Sequence, residues 1–374
     1  MKKPGMAVAT TALLIGNALS GAALAENSAA PAAPSIADVI ASSGITVSGY
    51  VAASYSRSNG YPVNIHQFDN KHDSFQLDQA GLMIAYQPKE GFGAVLDVNA
   101  GEDARILNLA ESGSDNSVIN VRQAFVQYAT GSLAVMAGKF VTLAGAEVIN
   151  PALNTSFSRS LLFFDSEPLT HTGIRASYAL TDTFSFTAGV NNGWNATSTS
   201  YGSKTGELGI GWIPNKTFSL LAQAYFGKTD PDFGGNDSMK TLFDVVAIYN
   251  ATSSLTFILN VDINKWDDAL GPNQDAKWSG VAAYVNYAIN DQWRVSVRAE
   301  YLDDADGFLT GSDQKLKEGT VTFGYSPVKS FELRLEARVD KADNDTFFKT
   351  RDALATGPDT DSLTGLAVQG VYKF

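Results

Sequence analysis

From Ile45 to the C-terminus, apolar and polar side chains alternate along segments of about ten residues. Residues 331–340 read Phe-Glu-Leu-Arg-Leu-Glu-Ala-Arg-Val-Asp, and the same alternation recurs at 172–180, 184–191, 255–264 and 293–301. A period of two indicates β-strands, because successive side chains of a strand point to opposite faces. Strands of about ten residues with one apolar and one charged face suit a membrane β-barrel, which has lipid outside and water inside.

Sixteen such segments can be marked along the chain. They lie near 45–56, 74–86, 92–101, 118–129, 133–142, 170–180, 183–193, 204–213, 217–228, 239–250, 254–267, 276–289, 291–303, 316–326, 330–341 and 364–374. Their connections alternate between short turns, such as 181–182 and 290–291, and long loops, such as 57–73, 102–117 and 342–363. The sequence therefore predicts an all-β fold, a transmembrane antiparallel up-and-down barrel of about sixteen strands. We expect the short turns to be periplasmic and the long loops extracellular.

The last segment ends on an aromatic residue, Phe374, two positions after Tyr372. This end resembles the terminal signal that outer-membrane barrels present to the barrel-assembly machinery. In such a barrel the last strand pairs with the first, so that the sheet has no free edge. The alternative from this segment alone is an ordinary final strand of a soluble β-sandwich.

The N-terminus predicts export. Residues 1–25 combine Lys2 and Lys3, an apolar stretch and a small-residue cleavage site at Ala23-Leu24-Ala25, as in a secretory signal peptide. Residues 26–44 are interpreted as a periplasmic linker, with a short helix or an unstructured leader at 35–43. The chain has no cysteine, which excludes thiolate chemistry, and its net charge of −12 argues against nucleic acid as a partner. For a channel, that charge favours cations if the acidic side chains line the lumen.

A barrel of sixteen strands is too wide for wall side chains to fill, so another segment must narrow it. The candidate is residues 143–169, which carry several large apolar side chains that require a packing surface. We expect this segment to fold into the barrel and form a constriction; packing over the extracellular rim is the alternative. The predicted constriction comprises Glu147, Arg159, Asp165 and Glu167 from the loop, opposed by Arg175, Arg294, Arg298, Arg334 and Arg338 from the wall. The wall charges could form cross-strand ion pairs, or unpaired arginines could set up a transverse field.

The same region resembles a known family. The residues that carry the resemblance are Gly138-Lys139-Phe140, Gly145, Glu147, Asn154, Ser158-Arg159-Ser160, Pro168, His171-Thr172-Gly173 and Asn192-Gly193-Trp194, preceded by Ser74-Phe75-Gln76-Leu77, Gln79-Ala80 and Gln123-Ala124-Phe125-Val126. Together they are similar to the OmpL-like β-barrel porin family (β-barrel porin-2). The resemblance implies an outer-membrane pore in a Gram-negative cell and says much less about the solute.

The resulting prediction is a porin for passive diffusion of ions and small hydrophilic solutes, with a cation bias as a further hypothesis. Barrels of this size commonly form homotrimers, although no interface is legible in the sequence. The alternative function is a non-conducting structural or receptor barrel, such as a sheath for a partner protein or an adhesin.

We expect neither enzymatic activity nor a cofactor or metal. His171 with Ser158 or Ser160 and Asp165 could be drawn as a catalytic triad, but no local signature supports one. His66, Asp69, His72 and Asp73 could bind a divalent cation in the first loop, although such loops are more often simply solvated.

Overall fold

The alternation in the sequence becomes an alternation in burial. In strand β15 (Phe331–Ala342) of the computed structural model, Leu335 and Val339 are 54% and 50% exposed, whereas Arg338 is only 3% exposed. A soluble protein would show the opposite arrangement, with the leucine and valine inside. The apolar face is therefore the outer surface of the barrel and suits lipid, while the charged face points to the interior.

The structure describes residues 43–62, 65–228 and 237–374, with only the backbone of Ser112 and Asp165. The predicted signal peptide and nearly all of the predicted linker lie outside these residues. Within them there are sixteen strands: β1 Ile45–Ser58, β2 Ser74–Tyr86, β3 Gly91–Ala100, β4 Ile119–Thr130, β5 Leu133–Val141, β6 Thr170–Ala179, β7 Phe184–Asn191, β8 Thr205–Trp212, β9 Phe218–Lys228, β10 Met239–Asn250, β11 Leu255–Gly271, β12 Gln274–Ala288, β13 Trp293–Asp304, β14 Gln314–Val328, β15 Phe331–Ala342 and β16 Ser362–Lys373.

Each strand pairs antiparallel with its sequence neighbours, and β1 pairs with β16 to close the barrel. The closing seam runs to the end of the chain, because the backbone N–H groups of Gly49 and Phe374 each donate to the other residue's carbonyl at 2.9 Å. The predicted sixteen-stranded up-and-down barrel is confirmed. The largest difference in strand bounds is at the end of β11, which runs to Gly271 and not to about 267.

The two rims of the barrel differ in the length of their connections. Short turns join β2 to β3, β4 to β5, β6 to β7 and each later pair up to β14 and β15, all on one rim. Strand β1 begins and strand β16 ends on the same rim. The other rim carries the long connections 59–73, 101–118, 142–169 and 343–361. By the usual rule for these barrels, the short-turn rim faces the periplasm.

Aromatic rings gather at the short-turn rim. Trp293 stacks on Tyr325 of the neighbouring strand with ring centroids 4.4 Å apart, and Phe92 lies 4.9 Å from Tyr128. Phe92, Tyr128 and Trp293 are exposed on the outer face, and Tyr325 is the direct register partner of Trp293. Aromatic side chains in this position are typical of the headgroup level of a membrane, where one part of a ring contacts apolar lipid and another part contacts water.

The sequence analysis gave 102–117 only as a long loop, but the structure has a helix there. Helix α1 (Glu102–Ser112) ends at Gly113, whose φ of 73° suits glycine and whose N–H donates to Leu109 O at 2.8 Å. Two shorter helices follow, α2 (Leu161–Asp165) and α3 (Ala353–Thr356), with a 3₁₀ turn at Pro151–Leu153. None of the helices among the described residues is long and apolar enough to cross a membrane.

The role of the C-terminal aromatic residue can be tested by replacing Phe374 with alanine. Because its ring is exposed at the closing seam, we expect the variant to refold in detergent like the wild type but to accumulate several-fold less in outer membranes. Heat-modifiable mobility of membrane fractions measures this. Phe75→Ala, which removes another exposed aromatic ring at the opposite rim, is the control. An equal loss in both variants would contradict a specific assembly signal.

Candidate functional site in the barrel interior

The connection between β5 and β6, residues 142–169 and called the inner loop here, lies inside the barrel. The backbone N–H of Leu143 donates to the hydroxyl of Tyr225 on β9 at 3.0 Å, and that of Ala146 donates to Asn260 Oδ1 on β11 at 2.8 Å. On the far wall, the N–H groups of Phe157 and Ser158 donate to the Glu336 carboxylate on β15 at 2.7 and 2.9 Å. Since all of these wall side chains point inward, the loop crosses the lumen.

Arg298 on β13 connects the wall to the inner loop through both ion pairs and hydrogen bonds. Its Nη1 lies 2.8 Å from Glu147 Oε1 and its Nε lies 3.1 and 3.2 Å from the carboxylates of Glu300 and Glu318. Its Nη2 also donates to Ser158 Oγ at 2.9 Å. The guanidinium is buried, with the whole residue 1% exposed. Arg298 thus joins two inner-loop residues to the acidic wall.

Two further arginines hold the inner loop by its backbone. Arg334 donates to Pro151 O at 3.0 Å and Asn154 O at 2.8 Å, and Arg338 donates to Arg159 O at 2.7 Å. Guanidinium groups suit this role because five N–H donors in a fixed plane can bond several carbonyls at once.

The wall arginines are also paired with carboxylates. Arg334 and Arg294 share Glu332, at 2.7 and 2.6 Å, while Arg338 lies 2.8 Å from Asp340. Of the two arrangements considered from the sequence, the structure has ion pairs, but not all of them are cross-strand: Arg294–Glu332 joins β13 to β15, whereas the Arg334–Glu332 and Arg338–Asp340 pairs lie within β15. Arg294 is the most exposed of these arginines and lies nearest the short-turn rim.

Arg159 faces the loop itself and not the charges of the wall. Its guanidinium donates to the carbonyls of Val148, Phe157 and Ile149 at 3.0, 2.8 and 3.1 Å. The same group lies 5.4 Å from the ring centroid of Phe68 and packs near a second ring, that of Phe163. Arg159 thereby fixes the path of the inner loop from within.

Arg175 lies on a different part of the wall. Its Nη2 is 2.8 Å from Glu207 Oε1 on β8, and its guanidinium sits 4.2 Å from the ring centroid of Phe140. It also donates to Val141 O at 3.2 Å, directly before the inner loop begins. Paired in this way, Arg175 stabilises the start of the loop.

Glu167 is at the other end of the inner loop and has a different environment. Both of its carboxylate oxygens are buried without a hydrogen-bond partner, and they lie close to Asp244 and Asp262 on β10 and β11. Burial, reinforced by the carboxylates of Asp244, Glu147 and Glu300, raises the pKa of Glu167 well above its usual range. Asp165 ends α2, and its side chain is outside the described part of the structure.

Two elements from other loops pack on the inner loop. Leu107 of α1 and Phe68 of the first loop form one buried cluster with Ile149, Phe163 and Leu169 of the inner loop. The helix also lies along β2, β3 and β4, where its Asp103 accepts a hydrogen bond from Gln79 at 2.8 Å. Sequence reasoning missed this helix as part of the interior, although the apolar spacing of Ile106, Leu107 and Ala110 was a signal for it.

The histidines do not assemble a catalytic or metal site among the described residues. His171 stacks on Tyr225 and its Nδ1 lies 3.3 Å from Gly193 O, whereas Ser158 bonds Arg298. His66 and Asp69 are buried together, but His72 bonds Gly60 O at 2.8 Å. The four first-loop residues that could have bound a divalent cation therefore do not converge on one site.

His66 connects the first loop to the wall. Its Nδ1 is 2.7 Å from Asp69 and its Nε2 is 3.2 Å from Asp340. Burial and the nearby Arg338 act to lower its pKa, but Asp69, Asp340 and the hydrogen bond to Asp340 outweigh them and raise it to about 9. The imidazolium is thus the form that this site stabilises.

A closed sixteen-stranded antiparallel barrel with an apolar exterior, a charged interior and a loop folded into the lumen defines an outer-membrane porin, a channel for small solutes. The chain belongs to the family described as "Putative beta-barrel porin-2, OmpL-like", whose sequence profile matches residues 44–374. The family resemblance noted in the sequence is therefore confirmed. No curated protein matches the chain significantly.

Solved structures show the same fold at low sequence identity. The anion-selective porin from Comamonas acidovorans superposes with a TM-score of 0.62 at 13% identity, covering 88% of this chain and 99% of that one. The outer-membrane channel DcaP of Acinetobacter baumannii gives 0.60 at 16%, covering 88% and 97%. The trimer form of OmpT of Vibrio cholerae gives 0.58 at 13%, covering 88% and 99%. At these identities the likeness concerns the fold alone.

The ion-pair cluster around Arg298 predicts a large stability effect. Arg298→Ala leaves Glu147, Glu300 and Glu318 buried without their shared cation, and we expect a loss of about 3–5 kcal/mol in unfolding free energy. Arg294→Ala, at a more exposed pair, should cost under about 1 kcal/mol. Urea unfolding of the refolded barrel in detergent measures both. Equal effects of the two substitutions would argue against the Arg298 cluster as the anchor.

The raised pKa of His66 predicts a pH-dependent contribution to stability. A folded pKa of about 9, against an ordinary value of 6.5, means that the contribution is complete below about pH 6.5 and is lost as the pH rises through about 9. The wild type should therefore melt a few degrees above His66→Gln at pH 6, and this difference should vanish by pH 10. His72→Gln is the control, since His72 has no carboxylate within 4 Å among the described residues. A difference that stays constant with pH would refute the assignment.

Proposed function

We propose that the protein is a passive diffusion channel for ions and small hydrophilic solutes whose narrowest part is set by the inner loop. The observation that carries the proposal is the course of this loop across the lumen, where it bonds inward-facing side chains of β9, β11, β13 and β15. A segment that crosses the lumen reduces the free cross-section more than wall side chains alone. Glu147, Arg159 and Glu167 on the loop, with Arg175, Arg294, Arg298, Arg334 and Arg338 on the wall, are the proposed constriction residues.

We further propose a preference for cations. Each of the five wall arginines has a carboxylate partner within 3.2 Å, so little uncompensated positive charge faces the lumen there. Glu167, Asp244 and Asp262, in contrast, have no basic partner within 4 Å among the described residues. Uncompensated negative charge beside a narrow aqueous path raises the local concentration of cations.

The context of this function is the outer membrane. We propose that residues 1–25 direct export, that Tyr372 and Phe374 are recognised by the barrel-assembly machinery, and that the protein works as a homotrimer, a form also known for OmpT of Vibrio cholerae. We assign it no catalytic activity.

Planar-bilayer recording of the refolded mature protein tests the proposal. We expect ohmic single-channel steps, a cation-selective reversal potential under a salt gradient, and a several-fold larger conductance after deletion of 150–164. Deletion of 197–202, a mostly exposed stretch between β7 and β8, is the control and should leave conductance unchanged.

Each alternative outcome has a defined meaning. Unchanged conductance in the 150–164 deletion would exclude the inner loop from the constriction. Anion selectivity would mean that arginines, and not carboxylates, determine the charge along the ion path. A folded, heat-modifiable barrel without any conductance would overturn the channel and favour a sheath or adhesin.

A further inference from the structure

Three carboxylates meet at the inner face of the wall. Asp244 on β10 and Asp262 on β11 are directly opposite each other in the strand register, and both side chains point inward. Glu167 approaches them from the inner loop, and one oxygen of each residue lies within 4.8 Å of the other two. The cluster is thus formed by a loop and two neighbouring strands, far apart in sequence.

The three carboxyl groups are buried and have no basic partner within 4 Å among the described residues. Glu167 is 6% exposed and the two aspartates are 0–1% exposed. Asn260 donates to Asp244 Oδ2 at 2.8 Å and to Asp262 Oδ1 at 3.2 Å. Both oxygens of Glu167, together with Asp244 Oδ1 and Asp262 Oδ2, have no hydrogen-bond partner among the described residues. Buried like charges repel one another, so the ionised form of this cluster requires a positive charge between the carboxylates.

The backbone is shaped to let Glu167 enter the cluster. Gly145 has a φ of +87°, and a Cβ atom built there would collide with the Glu167 carboxylate. A residue without a side chain at this position therefore leaves room for the Glu167 carboxylate beside the aspartates.

We propose that Glu167, Asp244 and Asp262 bind a calcium ion that links the inner loop to β10 and β11. The donors are all oxygen atoms, which suits a hard cation, and calcium accepts carboxylates in irregular geometry with water filling the remaining positions. The unpartnered oxygens are the ligands, and the ion supplies the missing positive charge. The proposal does not depend on conduction, because binding can be measured on a barrel of any permeability.

Calcium and terbium binding to the refolded full-length mature barrel tests the site. The protein is refolded in a zwitterionic detergent without lipopolysaccharide and freed of metal with EDTA. We expect one saturable Tb³⁺ luminescence site per chain that Ca²⁺ displaces and excess Na⁺ does not. We also expect Ca²⁺ to raise the melting temperature of the wild type by several degrees.

Two variants and one control separate a built site from surface binding. Asp244→Asn/Asp262→Asn removes the charge repulsion, so it should fold without calcium, bind Ca²⁺ at least tenfold more weakly and show no calcium-dependent melting shift. Glu167→Gln should behave similarly. Asp313→Asn, the same chemical change at an exposed position, should bind like the wild type.

Two results would overturn the proposal. Unchanged binding in the double variant would place the ion elsewhere on the barrel. A stable, well-folded wild type that binds neither ion would mean that the carboxylates are neutralised by protons.

Discussion

Backbone hydrogen bonding in a medium without water is the constraint on which this structure depends. A strand edge facing lipid would leave its N–H and C=O groups unsatisfied, so the sheet must close on itself. The reciprocal bonds between Gly49 and Phe374 show that closure uses the last residue of the chain. Once β1 pairs with β16, the alternation of side chains divides every strand between lipid and lumen. The exposed Leu335 and the buried Arg338 of one strand follow from this single requirement.

Closure at sixteen strands creates a second physical problem, which is the width of the interior. The inner loop, α1 and part of the first loop solve it by packing against one another around Leu107 and Phe163. An apolar cluster of loop residues inside a polar barrel needs polar attachment to the wall. The arginines supply this attachment, because a guanidinium can bond a wall carboxylate and a loop carbonyl at the same time. Arg298, Arg334 and Arg338 are therefore structural anchors of the inner loop, and we propose that they also border the constriction.

The balance of charge differs between the two sides of the inner loop. On β13–β15 the arginines and carboxylates neutralise one another, which accounts for the deep burial of so many ionised groups. Beside β10 and β11 three carboxylates meet without a basic partner among the described residues. Our two proposals, cation preference and calcium binding, concern the same three carboxylates, and a bound calcium ion would reduce the negative charge that favours cations. They remain separable, since one is measured as ion flow and the other as ion binding.

The sequence by itself determined the barrel, its strand number, the parity of turns and loops, and the inward face of Arg298, Arg334 and Arg338. It could do so because a period of two is a local property, and because a sheet that faces lipid must close to satisfy its edge hydrogen bonds. Only the tertiary structure decided that Glu147 reaches Arg298 and that Glu167 joins Asp244 and Asp262. Periodicity assigns a side chain to a face, but the path of a loop depends on packing against distant strands. For the same reason the sequence pattern does not single out Asp244 and Asp262, since each alone is an ordinary inward-facing residue of a porin strand.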